Sequence, residues 1–175
     1  VTPYQIVYRY FSIILLVFGI ISTPYWSATT DAFVREDTQW IIKSGKRLNV
    51  ITAIICLGAL FMLLISNLVY RLWIGSSVAI PWSMSIAMAV YVVILIISLR
   101  YSCILNGLGK LRLQLIFTAA AALMYIPVSA LVVRYYHSII TLIVVMCIVN
   151  IPGLIVNGIQ YKKLINNTAT GIWNK

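Results

Sequence analysis

The charged residues of this chain leave five long gaps. Between Arg9 and Asp31 run 21 residues without a charged side chain; Arg47 to Arg71 encloses 23, Arg71 to Arg100 encloses 28, Arg112 to Arg134 encloses 21 and Arg134 to Lys162 encloses 27. A helix needs about 20 apolar residues to cross the hydrocarbon of a bilayer, so each gap is long enough for one span. Composition points the same way. The 175 residues are 62% hydrophobic and 9% charged, whereas about a quarter of a soluble domain is charged. So few charges cannot coat a water-soluble globule, which excludes a cytosolic enzyme domain, a disordered segment and a soluble nucleic-acid binder. The fold class implied is an all-α integral membrane protein with five transmembrane helices, at about 8–28, 48–70, 76–100, 113–133 and 138–160.

The net charge of +10 then reads as topology. Arg35, Lys43, Lys46 and Arg47 fall in the first loop, Arg100, Lys110 and Arg112 in the third, and Lys162, Lys163 and Lys175 in the tail. Arg9, Arg71 and Arg134 fall on the other side. Ten cations against three put the first loop, the third loop and the C-terminus in the cytoplasm by the positive-inside rule, with the N-terminus outside. Residue 1 is Val, with no basic n-region or small-residue cleavage site after it. The expectation is therefore a C-terminal fragment, residues 1–175 forming part of a larger transporter-sized protein.

All three acids, Asp31, Glu36 and Asp37, cluster in the first loop, and no acid lies in a span. That argues against a proton relay or a carboxylate cation site in this stretch. His137 is the single histidine, and Cys56, Cys103 and Cys147 sit in or near different spans without a CxxC pair. No catalytic residue, cofactor or metal site is expected.

The residues left to carry function fall into four groups. The first surrounds the cytoplasmic loops. Trp26 and Asp31 follow the bend expected at Pro24. Phe33-Val34 and Trp40-Ile41, with Asp37 and the cations around them, read as a short amphipathic helix on the membrane surface, either an anchor or a gate element. Asn106, Gly107, Gly109 and Lys110 form a tight turn whose cations attract anionic headgroups. The second group is polar residues within spans: Asn67, Ser83, Ser85, Asn150 and Asn157, which bond between helices or line a hydrophilic cavity. The third is Arg9 and Arg100. Each either snorkels to the interface or enters a cavity, where an arginine without an acid partner suits an anionic group such as a pyrophosphate. The fourth is Pro81, Pro127 and Pro152, kinks or hinges in the helices.

Several stretches occur in an order that resembles one family. They are Pro24-x-Trp26-Ser27-Ala28-x-Thr30-Asp31-Ala32 with Asp37-x-x-Trp40-Ile41, Leu72-Trp73-Ile74-Gly75 with Ile80-Pro81, Asn106-Gly107-x-Gly109-Lys110 with Gln114, Ile126-Pro127-x-Ser129, and Gly171-Ile172-Trp173-Asn174-Lys175. The set resembles the C-terminal part of bacterial polysaccharide flippases, the O-antigen branch of the multidrug/oligosaccharidyl-lipid/polysaccharide exporter superfamily. The resemblance implies that the five spans belong to the second bundle of a two-bundle transporter in the bacterial cytoplasmic membrane. The function implied is alternating-access translocation of undecaprenyl-diphosphate-linked oligosaccharide, a step in O-antigen, lipopolysaccharide or other surface-polysaccharide biosynthesis. Cavity cations would hold the pyrophosphate, with polar and aromatic residues meeting the sugars. On that reading the substrate contacts are Arg9, Arg100, Asn67 and Asn150. The partners are the lipid-linked oligosaccharide, membrane lipids, the missing N-terminal bundle and polysaccharide polymerase machinery. Two alternatives stand beside it: a membrane enzyme of polysaccharide assembly (a polymerase or acyltransferase), and a drug or cation exporter of the same superfamily.

Overall fold

A computed structural model of the chain describes residues 2–75 and 79–174. It is all-helical, with α1 over Thr2–Val34, α2 over Thr38–Ile74, α3 over Trp82–Gly107, α4 over Arg112–Tyr136, α5 over Ile139–Ile165 and a short 3-10 turn over Gly171–Asn174. All five α-helices are long and apolar enough to cross a membrane. They correspond to the five expected spans; α1 and α2 run well past both ends, whereas α3 starts only at Trp82, after the non-helical residues 79–81 that the third span was expected to include. The expected start of the third span, at residue 76, and Lys175 lie outside the described residues.

Helix α2 has 37 residues, about 55 Å at 1.5 Å per residue, against a hydrocarbon thickness of about 30 Å. The excess stands at the basic end and corrects one expectation. The segment around Trp40 is not a separate surface helix. Helix α1 continues through Phe33 and Val34, the chain reverses over residues 35–37, and Trp40 lies in the first turn of α2. The cause is local. Glu36 takes a left-handed φ of 58°, and the Asp37 carboxylate accepts a hydrogen bond from the Trp40 amide at 2.9 Å. That is an N-cap, so Asp37 starts a helix at the point where the cations suggested a loop. Pro24, Pro127 and Pro152 lie inside helices, whereas Pro81 stands just before α3 in an extended conformation.

Helix α3 is the centre of the bundle. Helices α1, α2 and α5 pack on it, and α4 packs on α5. Interhelical bonds fix the directions. Tyr10 of α1 donates to the Met62 carbonyl late in α2 at 2.9 Å, and Tyr70 of α2 pairs with Ser85 early in α3 at 3.2 Å. The Cys103 thiol late in α3 donates to the Ser22 carbonyl of α1 at 3.1 Å. Helices α1, α3 and α5 thus run one way and α2 and α4 the other. The core is closed by Phe11, Phe18, Met88, Val92, Ile96 and Ile143, all without exposure. Outside, Leu64 and Leu72 are 73% and 79% exposed, a surface that suits lipid rather than water. The most hydrophobic stretch of α4 buries nothing.

Helices α3 and α1 approach closely at the basic end. A Cβ on Gly107 would stand 2.6 Å from the Thr29 Cβ and 3.0 Å from the Trp26 carbonyl oxygen. Glycine there lets the end of α3 lie directly on α1. Gly107→Val is expected to separate these helices and cost about 1–3 kcal/mol, seen as a lowered thermal midpoint of the purified protein in detergent. An unchanged midpoint would count against this contact.

Candidate functional site

Helical periodicity gathers polar and aromatic residues onto one seam. On α4, Gln114, Thr118, Ala121 and Tyr125 are spaced by 4, 3 and 4 residues, the repeat of a single helix face. Met146, Asn150, Gly153 and Asn157 repeat likewise on α5, and Tyr91, Ser98 and Ser102 on α3. The structure brings most of these together. Towards the basic end, Ser98, Ser102, Gln114, Thr118, Asn150 and Asn157 line a cavity of about 60 Å³ between α3, α4 and α5. The Asn150 amide donates to the Met146 carbonyl of its own helix at 2.8 Å. Asn157 is buried, and its Oδ1 has no hydrogen-bond partner; neither has the buried Oε1 of Gln114.

Towards the far end the seam becomes aromatic. Tyr4 of α1 and Tyr125 of α4 face each other across a groove of about 270 Å³ with Leu142 and Met146 of α5. Tyr4 stacks on Tyr8, ring centroids 6.1 Å apart, and Tyr91 of α3 lies within electrostatic reach of Tyr4, Tyr8 and Tyr125. Tyr4, stacked on Tyr8, and Tyr125 therefore border the space between α1 and α4, with Tyr91 of α3 close by. Phenol rings present an apolar face and a hydroxyl together, a combination suited to amphipathic ligands.

Arg100 stands apart from the seam. Ser98 and Ser102 point one way on α3, and Arg100, two residues from each, faces α2 and α5 instead. It is 7% exposed. Its guanidinium lies 4.6 Å from the Tyr101 ring centre and 5.4 Å from that of Tyr161. Tyr161 in turn fits against Gly45 of α2, and Tyr101 against Gly158 of α5. No ion pair to Arg100 exists among the described residues; its charge rests on two ring faces and on a hydrogen bond with the Tyr161 hydroxyl, and its Nε has no hydrogen-bond partner. Cation–π contacts are worth about 0.5–2 kcal/mol each, more as water is excluded.

A third site closes the basic end. Phe33, Thr38, Ile41, Lys110, Asn167 and Asn174 border a pocket of about 360 Å³. Gly109, at φ +67°, turns the chain, and the Lys110 ammonium donates to the Asn174 carbonyl at 2.8 Å. Gln160, with no exposure, donates to the Trp173 carbonyl at 3.2 Å, while the Lys163 ammonium stands 4.4 Å from the Trp173 ring centre. The C-terminal turn is thus tied to α5 and to the α3–α4 turn.

The expected site residues are spread over these regions. Asn150 lines the polar cavity. Arg9 is exposed on α1 next to Tyr8, Asn67 is exposed on α2, and Arg100 is enclosed on the other side of α3. The structure does not bring the four together. Of the basic-end residues, Gly107 and Lys110 make close contacts, Asn106 keeps an unpartnered buried Oδ1, and Asp31 pairs with Arg35 at 3.1 Å on the exposed surface, an arrangement of little energetic weight. Trp26 is 48% exposed and Trp40 packs against the core. Sequence reasoning missed Tyr4, Tyr91, Ser98, Ser102, Thr118 and Tyr125. The signal for the α4 residues was present, as a polar and aromatic repeat on an otherwise apolar helix. Comparison with protein-family models, curated proteins and solved structures gives no match.

Gln160→Leu removes the donor that holds the Trp173 carbonyl. Hydrogen–deuterium exchange over residues 168–174 is expected to speed up at least fivefold, with the five long helices as protected as before. Unchanged exchange would mean that Lys110 and Lys163 suffice.

Proposed function

We propose that this chain is part of the second bundle of a lipid-linked oligosaccharide flippase, with the tyrosine and amide seam on the path of the sugars. One observation carries the reading: a strip of neutral hydrogen-bonding and phenolic side chains runs along spanning helices whose remaining surface is largely apolar. Polar groups in a bilayer are costly and face other helices or water. Neutral amides and hydroxyls match the donor and acceptor pattern of sugar hydroxyls, and tyrosine rings match their C–H faces. A headgroup moved along such a strip exchanges hydrogen bonds rather than losing them, while its lipid tail stays in the bilayer.

In this reading the basic end and the C-terminus face the cytoplasm of a bacterial cell, as the charge bias favours. Arg9, exposed on α1 next to Tyr8, is the phosphate contact. Arg100, enclosed by tyrosines, serves the packing of α2, α3 and α5 rather than the substrate. The groove between α1 and α4 faces the N-terminal bundle. A polymerase or acyltransferase would need an acid and a base close together, and His137 ends α4 at the far end, while the acids lie at the basic end.

The test uses the full-length protein reconstituted in liposomes with a fluorescent diphosphate-linked oligosaccharide. Tyr125→Leu and Tyr91→Leu are expected to slow flipping at least tenfold, equivalent to about 1.4 kcal/mol, and Arg9→Met to do the same. Asn67→Leu is expected to leave the rate within twofold. Equal rates for all four variants would refute the assignment of the path. For orientation, a cysteine placed at Ser138 is expected to react with an impermeant maleimide from outside intact cells, and one at Thr168 only after permeabilisation. The reverse pattern would invert the topology.

A further inference from the structure

The cavity between α3, α4 and α5 has a chemistry that identifies its occupant. It is lined by Ser98, Ser102, Gln114, Thr118, Asn150 and Asn157. The 4%-exposed Asn157 and the amide oxygen of Gln114 both present acceptors that no protein group satisfies. A buried polar atom without a partner costs about 1–3 kcal/mol, so a donor in this space is strongly favoured. Turning either amide over would aim an NH₂ into the same space, which an acceptor must then meet. An occupant that can both donate and accept satisfies either orientation. At about 60 Å³ the cavity has room for a water at each of the two unpartnered oxygens, since one water needs about 10–15 Å³ of such space. A bare cation would find no carboxylate among the lining residues, so its buried charge would go uncompensated.

We propose that this cavity is an intramembrane water site holding two ordered water molecules that bridge Asn157 of α5 to Gln114 of α4. The inference stands independently of the transport reading. It also ties α4 to α5 beyond their direct packing. Water-mediated bonds are nearly as favourable as direct ones, and they let α4 shift against α5 by exchanging water partners rather than by breaking direct helix–helix bonds. Phe117, whose Cβ would lie 3.7 Å from a Cβ on Gly153, borders the same cavity and reports on it.

The test is radiolytic hydroxyl-radical footprinting of the intact protein in detergent, read by mass spectrometry. Radicals born from bound water modify the nearest side chains. Phe117 is expected to be modified at least five times faster than Phe61, which is 61% exposed on the apolar outer face of α2. Gln114→Leu combined with Asn157→Leu is expected to bring Phe117 down to the Phe61 rate. Should the double variant not fold, Asn157→Leu alone is expected to lower the Phe117 rate at least twofold. Equal rates for Phe117 and Phe61 in the unaltered protein, or a Phe117 rate that the substitutions leave unchanged, would overturn the proposal. A high-resolution map offers a second readout. Two peaks within hydrogen-bond distance of Asn157 Oδ1 and Gln114 Oε1 support it; an empty cavity, or one peak at the shorter distances of a coordinated metal ion, overturns it.

Discussion

Hydrocarbon offers no hydrogen-bond partner, and the arrangement of this chain follows from that single constraint. Backbone groups are satisfied inside the five helices, because no other open structure satisfies them in lipid. Side-chain hydroxyls largely follow the same rule by bonding back to their own helix, as Thr29 does to the Tyr25 carbonyl at 2.6 Å and Thr52 to the Leu48 carbonyl at 2.7 Å. Where the rule is relaxed, groups from two helices meet, as in the Tyr70–Ser85 and Cys103–Ser22 bonds that hold α2 and α1 to α3. Among the described residues, five buried side-chain atoms escape it: Arg100 Nε, Asn106 Oδ1, Gln114 Oε1, Asn157 Oδ1 and Gln160 Oε1. All five belong to the half of the bundle nearer the basic end. The apolar parts of the fold are balanced; the unsatisfied polarity is local.

That polarity is divided into compartments by helix faces. One face of α3 carries Tyr91, Ser98 and Ser102 into the seam, and the opposite face carries Arg100 into a tyrosine cage. Two residues along a helix is a rotation of about 200° at 3.6 residues per turn, enough to separate a neutral seam from a buried cation. Glycines at 45 and 158 make room for the cage, and Gly107 brings α3 against α1. Helices α1, α2, α3 and α5 share the buried core, whereas α4 packs mainly on α5 and, among its described residues, buries Leu113 alone.

The number of spans and their cores were legible because charge is excluded from hydrocarbon, and gaps between charges record that directly. Helix ends were less legible. The cations from Lys43 to Arg47 read as a loop because loops and protruding helix turns are both wet; only the Asp37 cap distinguishes them, and its sequence signal is a single residue. Arg100 illustrates the other limit. Its position near a span end was evident, but the ring faces that enclose it come from neighbouring Tyr101 and from Tyr161, 61 residues away. Likewise the seam is written on α4 as a repeat, yet its pairing with Asn157 and with Tyr4 depends on which helices become neighbours. Residue spacing specifies a face and leaves open what it meets.

The proposed transport role rests on the tyrosine groove between α1 and α4 being in reach of a lipid-linked sugar. Photocrosslinking measures that directly. With benzoylphenylalanine at Tyr125 of the full-length protein, irradiated in membranes that are making the polysaccharide, the account predicts a covalent adduct with the diphosphate-linked oligosaccharide. The same probe at Leu64, on the lipid-facing side of α2, is predicted to yield lipid adducts alone. Equal sugar-adduct yields at the two positions, or none at Tyr125, would contradict it.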